Sequence, residues 1–143
     1  MGEYFKSTEE FYDVMKRFLD AAMKDATVGP KLRSSGLIIQ FVYTDPDAII
    51  TINLKDPCPA GAFGTYEVGP TDTKYDVQTM QAADFSNRFW QGHENPVTAI
   101  ARRKMSAKGN VPAMMKLVPV IRPTFRLYQQ VLRDTGRTDL LVT

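Results

Sequence analysis

Residues 37–54 read LIIQFVYTDPDAIITINL, and this stretch decides the fold. Residues 37–43 are apolar apart from Gln40 and are rich in β-branched and aromatic side chains, which is typical of a buried strand. The second half of the stretch alternates, and one of its faces carries the apolar side chains of Ala48, Ile50, Ile52 and Leu54. The sequence DPD at 45–47 is typical of a turn. We therefore predict an antiparallel hairpin, with strands near 37–44 and 48–55.

A helix is predicted upstream of the hairpin, near residues 8–26. Ser7 and Glu10 have the spacing of a capping box, in which each side chain accepts a backbone N–H at the start of a helix. Behind them, apolar residues recur at intervals of three and four and form one stripe, which comprises Phe11, Met15, Phe18, Leu19, Ala22 and Met23. Gly29-Pro30 is predicted to stop this helix.

The pattern downstream of the hairpin completes the fold class. It predicts strands near 62–68, 74–80 and 104–108, and helices near 84–91, 96–103, 111–118 and 123–134. Asn95-Pro96 is a well-defined helix start, because an N-cap residue precedes a proline at the first helical position. Strands that are bunched rather than alternating with helices indicate an α+β fold, whose antiparallel-rich sheet needs helices over one face.

Length and charge limit the class of protein. A chain of 143 residues accommodates one domain with one core. Its formal charge is only +2, so binding to nucleic acid would require a concentrated basic patch. The patch at 102–104 and Lys108 has no interleaved aromatic residues, so we expect no nucleic-acid partner. The same basic residues favour transient contact with an anionic membrane surface.

The compartment follows from the cysteine content and the absence of long apolar runs. Cys58 is the single cysteine, so no internal disulfide can form, and a reducing environment is the simpler assumption. The sequence has no apolar segment of signal-peptide or membrane-spanning length. We therefore expect a soluble, cytoplasmic protein.

Residues that could support catalysis or metal binding are few. His93 is the only histidine and lies in a predicted surface loop, and Cys58 lies between two prolines without an activating neighbour. A zinc site would need more nitrogen or sulfur ligands than these two residues provide. We therefore expect no metal, no cofactor and no enzymatic activity, while an enzyme that uses Cys58 or His93 stays an alternative.

Residues 83–117 carry several features in a distinctive order. The sequence ADF at 83–85 is followed by Gly92, by the helix start at 95–96, and then by KMSAKGN at 104–110 and AMMKL at 113–117. This order resembles the type-two sterol carrier protein family. Its members typically have an acid-and-phenylalanine helix start, a glycine, a proline-started helix, and a basic strand that leads through Gly-Asn or Gly-Asp into a helix of the Ala-x-x-Lys-Leu kind. The resemblance covers about residues 8–118 of a single domain, and 119–143 form a C-terminal extension.

The resemblance implies a twisted five-stranded sheet covered by helices on one face, with an apolar tunnel between the layers. It implies non-enzymatic binding and carriage of a long apolar ligand, such as a sterol, a fatty acyl chain or a related lipid. The alternative is an accessory or regulatory subunit whose apolar cleft binds a partner protein or presents substrate to a separate enzyme. The extension carries an apolar stripe at 123–134, and we expect this helix either to cover the tunnel mouth or to form a homodimer.

The expected ligand-binding residues combine one face of the hairpin, an aromatic cluster and a methionine-rich segment. They are Ile50, Ile52, Phe85, Phe89, Trp90, Met105, Met114, Met115, Val118 and Ile121. Methionine side chains suit such a surface, because they adapt to flexible ligands. The sequence offers no buried charge, so we expect a polar end of the ligand at the tunnel mouth, near Arg102, Arg103 and Lys104.

Overall fold

A computed structural model describes residues 2–142. Its strands are β1 (Ile38–Thr44), β2 (Ala48–Asn53), β3 (Thr65–Val68), β4 (Val77–Ala82) and β5 (Met105–Gly109). Its α-helices are α1 (Thr8–Ala22), α2 (Gly29–Ser34), α3 (Ala83–Phe89), α4 (Pro96–Ala101), α5 (Val111–Met115) and α6 (Thr124–Asp134). A short 3-10 helix at Thr138–Leu140 follows α6.

The five strands form one open, mixed sheet in the order β3-β2-β1-β4-β5. The predicted hairpin is confirmed, because β1 pairs antiparallel with β2 and places Phe41 opposite Ile50. The pairs β2–β3 and β4–β5 are also antiparallel, whereas β4 runs parallel to β1 on the side away from the hairpin. The α+β fold with a mostly antiparallel sheet is therefore confirmed.

The two faces of the sheet differ in chemistry. The inward side chains of β1 and β2 are apolar and face the helical layer. The outward face carries a chain of hydrogen bonds across three strands, in which the Gln78 amide donates to Gln40 (2.6 Å) and the Gln40 amide donates to Thr51 (3.1 Å). Gln40, the exception in the apolar run at 37–43, thus lies on the outward face.

Helix α1 begins as predicted, since the Ser7 hydroxyl accepts the backbone N–H of Glu10 at 3.1 Å. Its apolar stripe is buried against the sheet, and the Tyr12 hydroxyl accepts the backbone N–H of Ile49 in β2 (2.9 Å). Helix α1 ends at Ala22, earlier than the predicted boundary near 26. It therefore covers the hairpin with four turns rather than five.

The prediction that Gly29-Pro30 stops a helix was wrong, because these residues begin α2. Proline lacks an N–H and fits the first turn of a helix, where that N–H would have no intrahelical partner. The Asp25 carboxylate accepts the backbone N–H of Val28 just before the helix (2.8 Å). The ring of Phe63 lies against Gly29 and leaves no room for a Cβ there.

Strand boundaries differ from the prediction by a few residues. Strand β3 begins at Thr65 rather than near 62, and β4 spans Val77–Ala82 rather than 74–80. The alternation through Val77 and Thr79 therefore continues to Gln81, whose side chain also points inward. This shift places the polar side chain of Gln81 on the inner face of the sheet.

The C-terminal extension belongs to the core of the same domain. Helix α6 packs on α1, where Tyr128 and Leu132 are fully buried (0% exposed). The Tyr128 hydroxyl donates to Asn87 in α3 (2.7 Å), and the Asn87 amide donates to the Leu140 carbonyl (2.9 Å). The centre of the predicted apolar stripe therefore packs within the chain.

Candidate functional site

An apolar cavity lies between the inward face of the sheet and the helices. The space in which the centre of a water molecule can lie is about 90 Å³, and the empty space between the wall atoms, including the opening to solvent, is about 880 Å³. None of the described side chains that line it carries a charge. The cavity can therefore accept an apolar molecule but offers no counter-ion to a charged one.

Each wall of the cavity comes from a different part of the fold. Strands β1 and β2 supply one wall, the end of α1 with Leu32 of α2 supplies the second, and α3 supplies the third. The segment from α5 to α6 closes the remaining side with Met114, Leu117, Val118, Ile121 and Thr124. Because β1, α1 and α3 belong to the packed core, the cavity is held open by a preformed structure.

The α3 wall is an aromatic cluster. The Trp90 ring lies 4.9 Å from both the Phe18 ring and the Phe89 ring, measured between centroids, and the latter pair meets edge to face. Phe89 in turn contacts Phe125 of α6 at 6.2 Å. These contacts fix the ring positions, because aromatic pairs have preferred geometries. Trp90 is the only tryptophan of the chain, so its emission reports on this wall.

The structure brings most of the predicted ligand-binding residues together around the cavity. Those that line the cavity are Ile52, Phe85, Phe89, Trp90, Met105, Met114, Val118 and Ile121. Ile50 is fully buried but outside the lining. Met115 is half-buried against the core and is also outside the lining. Contact of any of these residues with a ligand stays a prediction.

Several lining residues were missed by the sequence-based prediction. They are Phe18, Leu19, Ala22 and Met23 of the first helical segment, Leu32, Ile39, Phe41, Tyr43, Leu54, Gln81, Ser86, Pro96, Leu117 and Thr124. The apolar stripe of α1 and the inward positions of β1 were available signals for many of them. Nothing in the pattern separates a residue that lines a cavity from one that fills a core.

Four lining residues carry polar side chains. The Thr124 hydroxyl donates to the Ile121 carbonyl and is satisfied within the chain. Burial raises the pKa of the Tyr43 phenol far above its usual range, and the nearby Ser86 hydroxyl opposes this shift only in part. The side-chain nitrogen and oxygen of Gln81 are buried and have no hydrogen-bond partner among residues 2–142, and the same is true of the Ser86 hydroxyl by distance and angle. Gln81 and Ser86 therefore have free hydrogen-bonding capacity at the cavity.

Groups that could perform chemistry lie elsewhere. His93 is exposed, and the Cys58 thiol donates to the Ala62 carbonyl at 3.3 Å outside the cavity lining. Within residues 2–142, no cluster of three or more histidine, cysteine, aspartate or glutamate side chains could hold a metal ion. Arg102, Arg103 and Lys104 are exposed and do not line the cavity.

The part of the chain that the structure describes contains no helix long and apolar enough to cross a membrane.

Solved structures share this fold. Sterol Carrier Protein 2 from Yarrowia lipolytica in its apo form has a TM-score of 0.58 and 17% identity, over 90% of this chain and 96% of that one. The sterol carrier protein domain 2 of Helicoverpa armigera has a TM-score of 0.57 and 21% identity, over 81% and 87%. The stereoselective inverting sec-alkylsulfatase from Pseudomonas sp. has a TM-score of 0.58 and 18% identity, over 76% of this chain and 16% of that enzyme. The fold thus occurs both alone and within a larger enzyme.

The sequence itself assigns the family. No curated protein matches the chain significantly. The SCP-2 sterol transfer family matches residues 15–122, which is most of the sequence. The chain therefore belongs to the SCP-2 sterol transfer family, as the order of features at 83–117 indicated.

Proposed function

We propose that this protein binds one long apolar ligand in the cavity and carries it without transforming it. The observation that supports this most strongly is an uncharged, largely apolar cavity between the sheet and the helices of a sterol transfer fold. Membership of the family implies lipid binding or transfer, and the ligand, the continuity of a tunnel and the absence of catalysis are our proposals.

Burial of the ligand's methylene groups is enough to drive binding. Each buried methylene contributes about 0.8 kcal/mol, so a chain of a dozen contributes about 10 kcal/mol before the costs of association. Lost translational, rotational and side-chain freedom removes several kcal/mol of this gain. A remainder of about 6 kcal/mol corresponds to a Kd of tens of micromolar, without any ionic contact, and longer chains would bind more tightly.

We place the ligand against the predicted residues that line the cavity. The aromatic wall around Trp90 forms one side of the site, and Val118 and Ile121 also line it. Ile50 and Met115 are outside the lining, so the site proposed here omits them.

Loading from a membrane surface is part of the proposal. Pro96, the first residue of α4, lines the cavity, and its neighbour Val97 is 66% exposed. The basic residues 102–104 follow the same helix and are exposed. An exposed apolar side chain beside basic residues suits brief contact with anionic headgroups, at about 1 kcal/mol per basic residue. A cytoplasmic location fits this role and stays a prediction.

Two other expectations, an accessory subunit and a homodimer, have less support. The accessory-subunit alternative is not favoured, because no described feature points to a partner protein. Homodimer formation stays a prediction, although Tyr128 and Leu132 of the stripe that suggested it are already buried against α1.

The test is a titration of Trp90 emission with dodecanol. We expect a saturable change in the wild type, and no such change for Val118→Arg, which places a charge in the lining. Met115→Arg is the matched control, since this half-buried neighbour does not line the cavity, and it should retain the response. Far-ultraviolet circular dichroism verifies that both variants are folded. The absence of a saturable response to any long-chain ligand in the wild type would overturn the proposed function.

A further inference from the structure

The inward face of β4 ends in a polar residue without a partner. The alternation of the strand places Val77, Thr79 and Gln81 inward, and Gln81 is only 7% exposed. The register sets Gln81 beside Tyr43 of β1 and opposite Met105 of β5, and both of these residues line the cavity. Neither its side-chain oxygen nor its side-chain nitrogen has a hydrogen-bond partner among residues 2–142. A buried amide in this state is destabilising unless an ordered water or a ligand satisfies it, so a ligand that enters the cavity meets unused hydrogen-bonding groups at Gln81.

A second polar group lies at the same place. Ser86 is in the first turn of α3, which directly follows β4, and it is 3% exposed. Its hydroxyl lies near the Tyr43 phenol, whose pKa burial raises and Ser86 lowers only in part, but no group in the described part of the chain meets the distance and angle of a full hydrogen bond, and Ser86 lines the same cavity. Gln81 and Ser86, beside the buried Tyr43 phenol, therefore form a polar corner in an otherwise apolar wall.

The chemistry of the polar corner selects a class of end group. The Gln81 amide offers two N–H donors and an accepting carbonyl oxygen, and the Ser86 hydroxyl offers one O–H donor and an accepting oxygen. A hydroxyl group on a ligand can donate and accept in turn and so satisfy both residues. An ionised carboxylate would lose its hydration in a cavity whose lining carries no cation, which is far more costly than the burial of a neutral group.

We propose that the ligand enters with a neutral hydroxyl group at its inner end, which hydrogen-bonds to Gln81 and Ser86. The ligand is thus a lipid with an un-ionised hydroxyl end, preferred over an alkane of equal size and over an ionised fatty acid. This inference rests on the proposed function, because it names the ligand class for the same cavity. It also moves the polar end of the ligand from the tunnel mouth, where we first expected it, to the interior.

The experiment compares three probes of equal chain length, namely dodecanol, dodecane and dodecanoate at neutral pH, by Trp90 emission. In the wild type, we expect dodecanol to bind about tenfold more tightly than dodecane, which corresponds to one hydrogen bond of about 1.4 kcal/mol. Dodecanoate should bind more weakly than dodecanol. Gln81→Met keeps the length of the side chain and removes its polar atoms, so the ratio of dodecanol to dodecane affinity should fall to near one.

Gln78→Met is the matched control, because it makes the same change on the same strand but on the outward face. It should leave the affinity ratio unchanged. Thr124→Val is a second control, since it removes a lining hydroxyl that is already satisfied by the Ile121 carbonyl, and it should affect both probes equally. Gln81→Met should also unfold at a temperature equal to or above that of the wild type, because it removes an unsatisfied buried group.

The outcomes separate this inference from the proposed function. If none of the three probes binds saturably, the proposed function fails and the inference fails with it. If the probes bind but Gln81→Met leaves the affinity ratio unchanged, or if dodecanoate binds more tightly than dodecanol, the neutral-hydroxyl inference is overturned while lipid carriage stands. The inference is supported if the ratio of dodecanol to dodecane affinity falls in Gln81→Met but not in Gln78→Met or Thr124→Val.

Discussion

The two ends of α1 bury the same kind of side chain with different results. At its start, Phe11 and Val14 are fully packed, and the Phe11 ring contacts Phe5 and Tyr43 at 4.9 and 4.6 Å between centroids. At its end, Phe18 and Leu19 are just as buried but form a wall of the cavity. We call these regions the solid end and the hollow end. The comparison shows that burial alone does not distinguish residues that stabilise the fold from residues that face a ligand.

The largest expected effect separates the two ends by matched substitutions. Phe11→Ala at the solid end should lower the free energy of unfolding by about 3–5 kcal/mol, because it removes a fully packed ring. Phe18→Ala at the hollow end should lower it by about 2 kcal/mol, since part of that equally buried ring already faces empty space. Urea denaturation of both variants, without ligand, measures the difference. Equal losses would remove the distinction between the two ends.

A ligand should stabilise the protein by filling the hollow end. At a concentration a hundred times its Kd, dodecanol should raise the free energy of unfolding by about 2.7 kcal/mol, because it binds only the folded state. Thermal unfolding with and without the ligand measures this gain. Val118→Arg should show no gain, whereas Met115→Arg should show the same gain as the wild type. An equal gain in Val118→Arg would place the ligand outside the cavity.

The smallest expected effect on stability comes from a polar contact beside β1 and β4, which is made by the Asp76 carboxylate. The Asp76 carboxylate accepts the Lys55 ammonium and the backbone N–H of Ile38, both at 2.9 Å. The Lys55 hydrogen bond, followed by that of Ile38, lowers the pKa of Asp76. Asp76→Asn should therefore lower the free energy of unfolding at neutral pH by about 1 kcal/mol.

The pH dependence of that effect has a definite sign. Because the pKa of Asp76 is lower in the folded state, its carboxylate stabilises the fold above the unfolded value of about 3.9. This stabilisation is lost as the pH falls through the lowered folded-state pKa. The difference between wild type and Asp76→Asn should shrink over that range in denaturation curves, and a constant difference would exclude this origin. A titration of Trp90 emission with dodecanol should show the same affinity for Asp76→Asn as for the wild type.

The sequence predicted the local elements well, because their signals are local. The hairpin follows from alternation around a DPD turn, and the helix starts at Ser7 and Asn95 follow from capping side chains. The parallel pairing of β4 with β1 was not predicted, because it joins strands far apart in the chain. Helix α2 was missed because a glycine-proline pair is compatible with either end of a helix.

The cavity lining was predicted only in part, for a related reason. Ile52 and Ile50 lie on the same face of β2 and are both buried, so the alternation of the strand does not reveal that Ile52 lines the cavity and Ile50 does not. The polar corner was missed because the predicted strand stopped at 80, one residue before Gln81. Alternation through Val77 and Thr79 would have placed it inward, but its lack of a partner is visible only in three dimensions.

Native mass spectrometry tests the central claim, ligand carriage in the hollow end, most directly. The wild-type protein is measured as purified, after solvent extraction, and after incubation with dodecanol. We predict one bound lipid-sized molecule that solvent removes, and a one-to-one complex with dodecanol that Val118→Arg does not form. A wild-type protein that carries no extractable lipid and forms no complex with dodecanol would contradict the account.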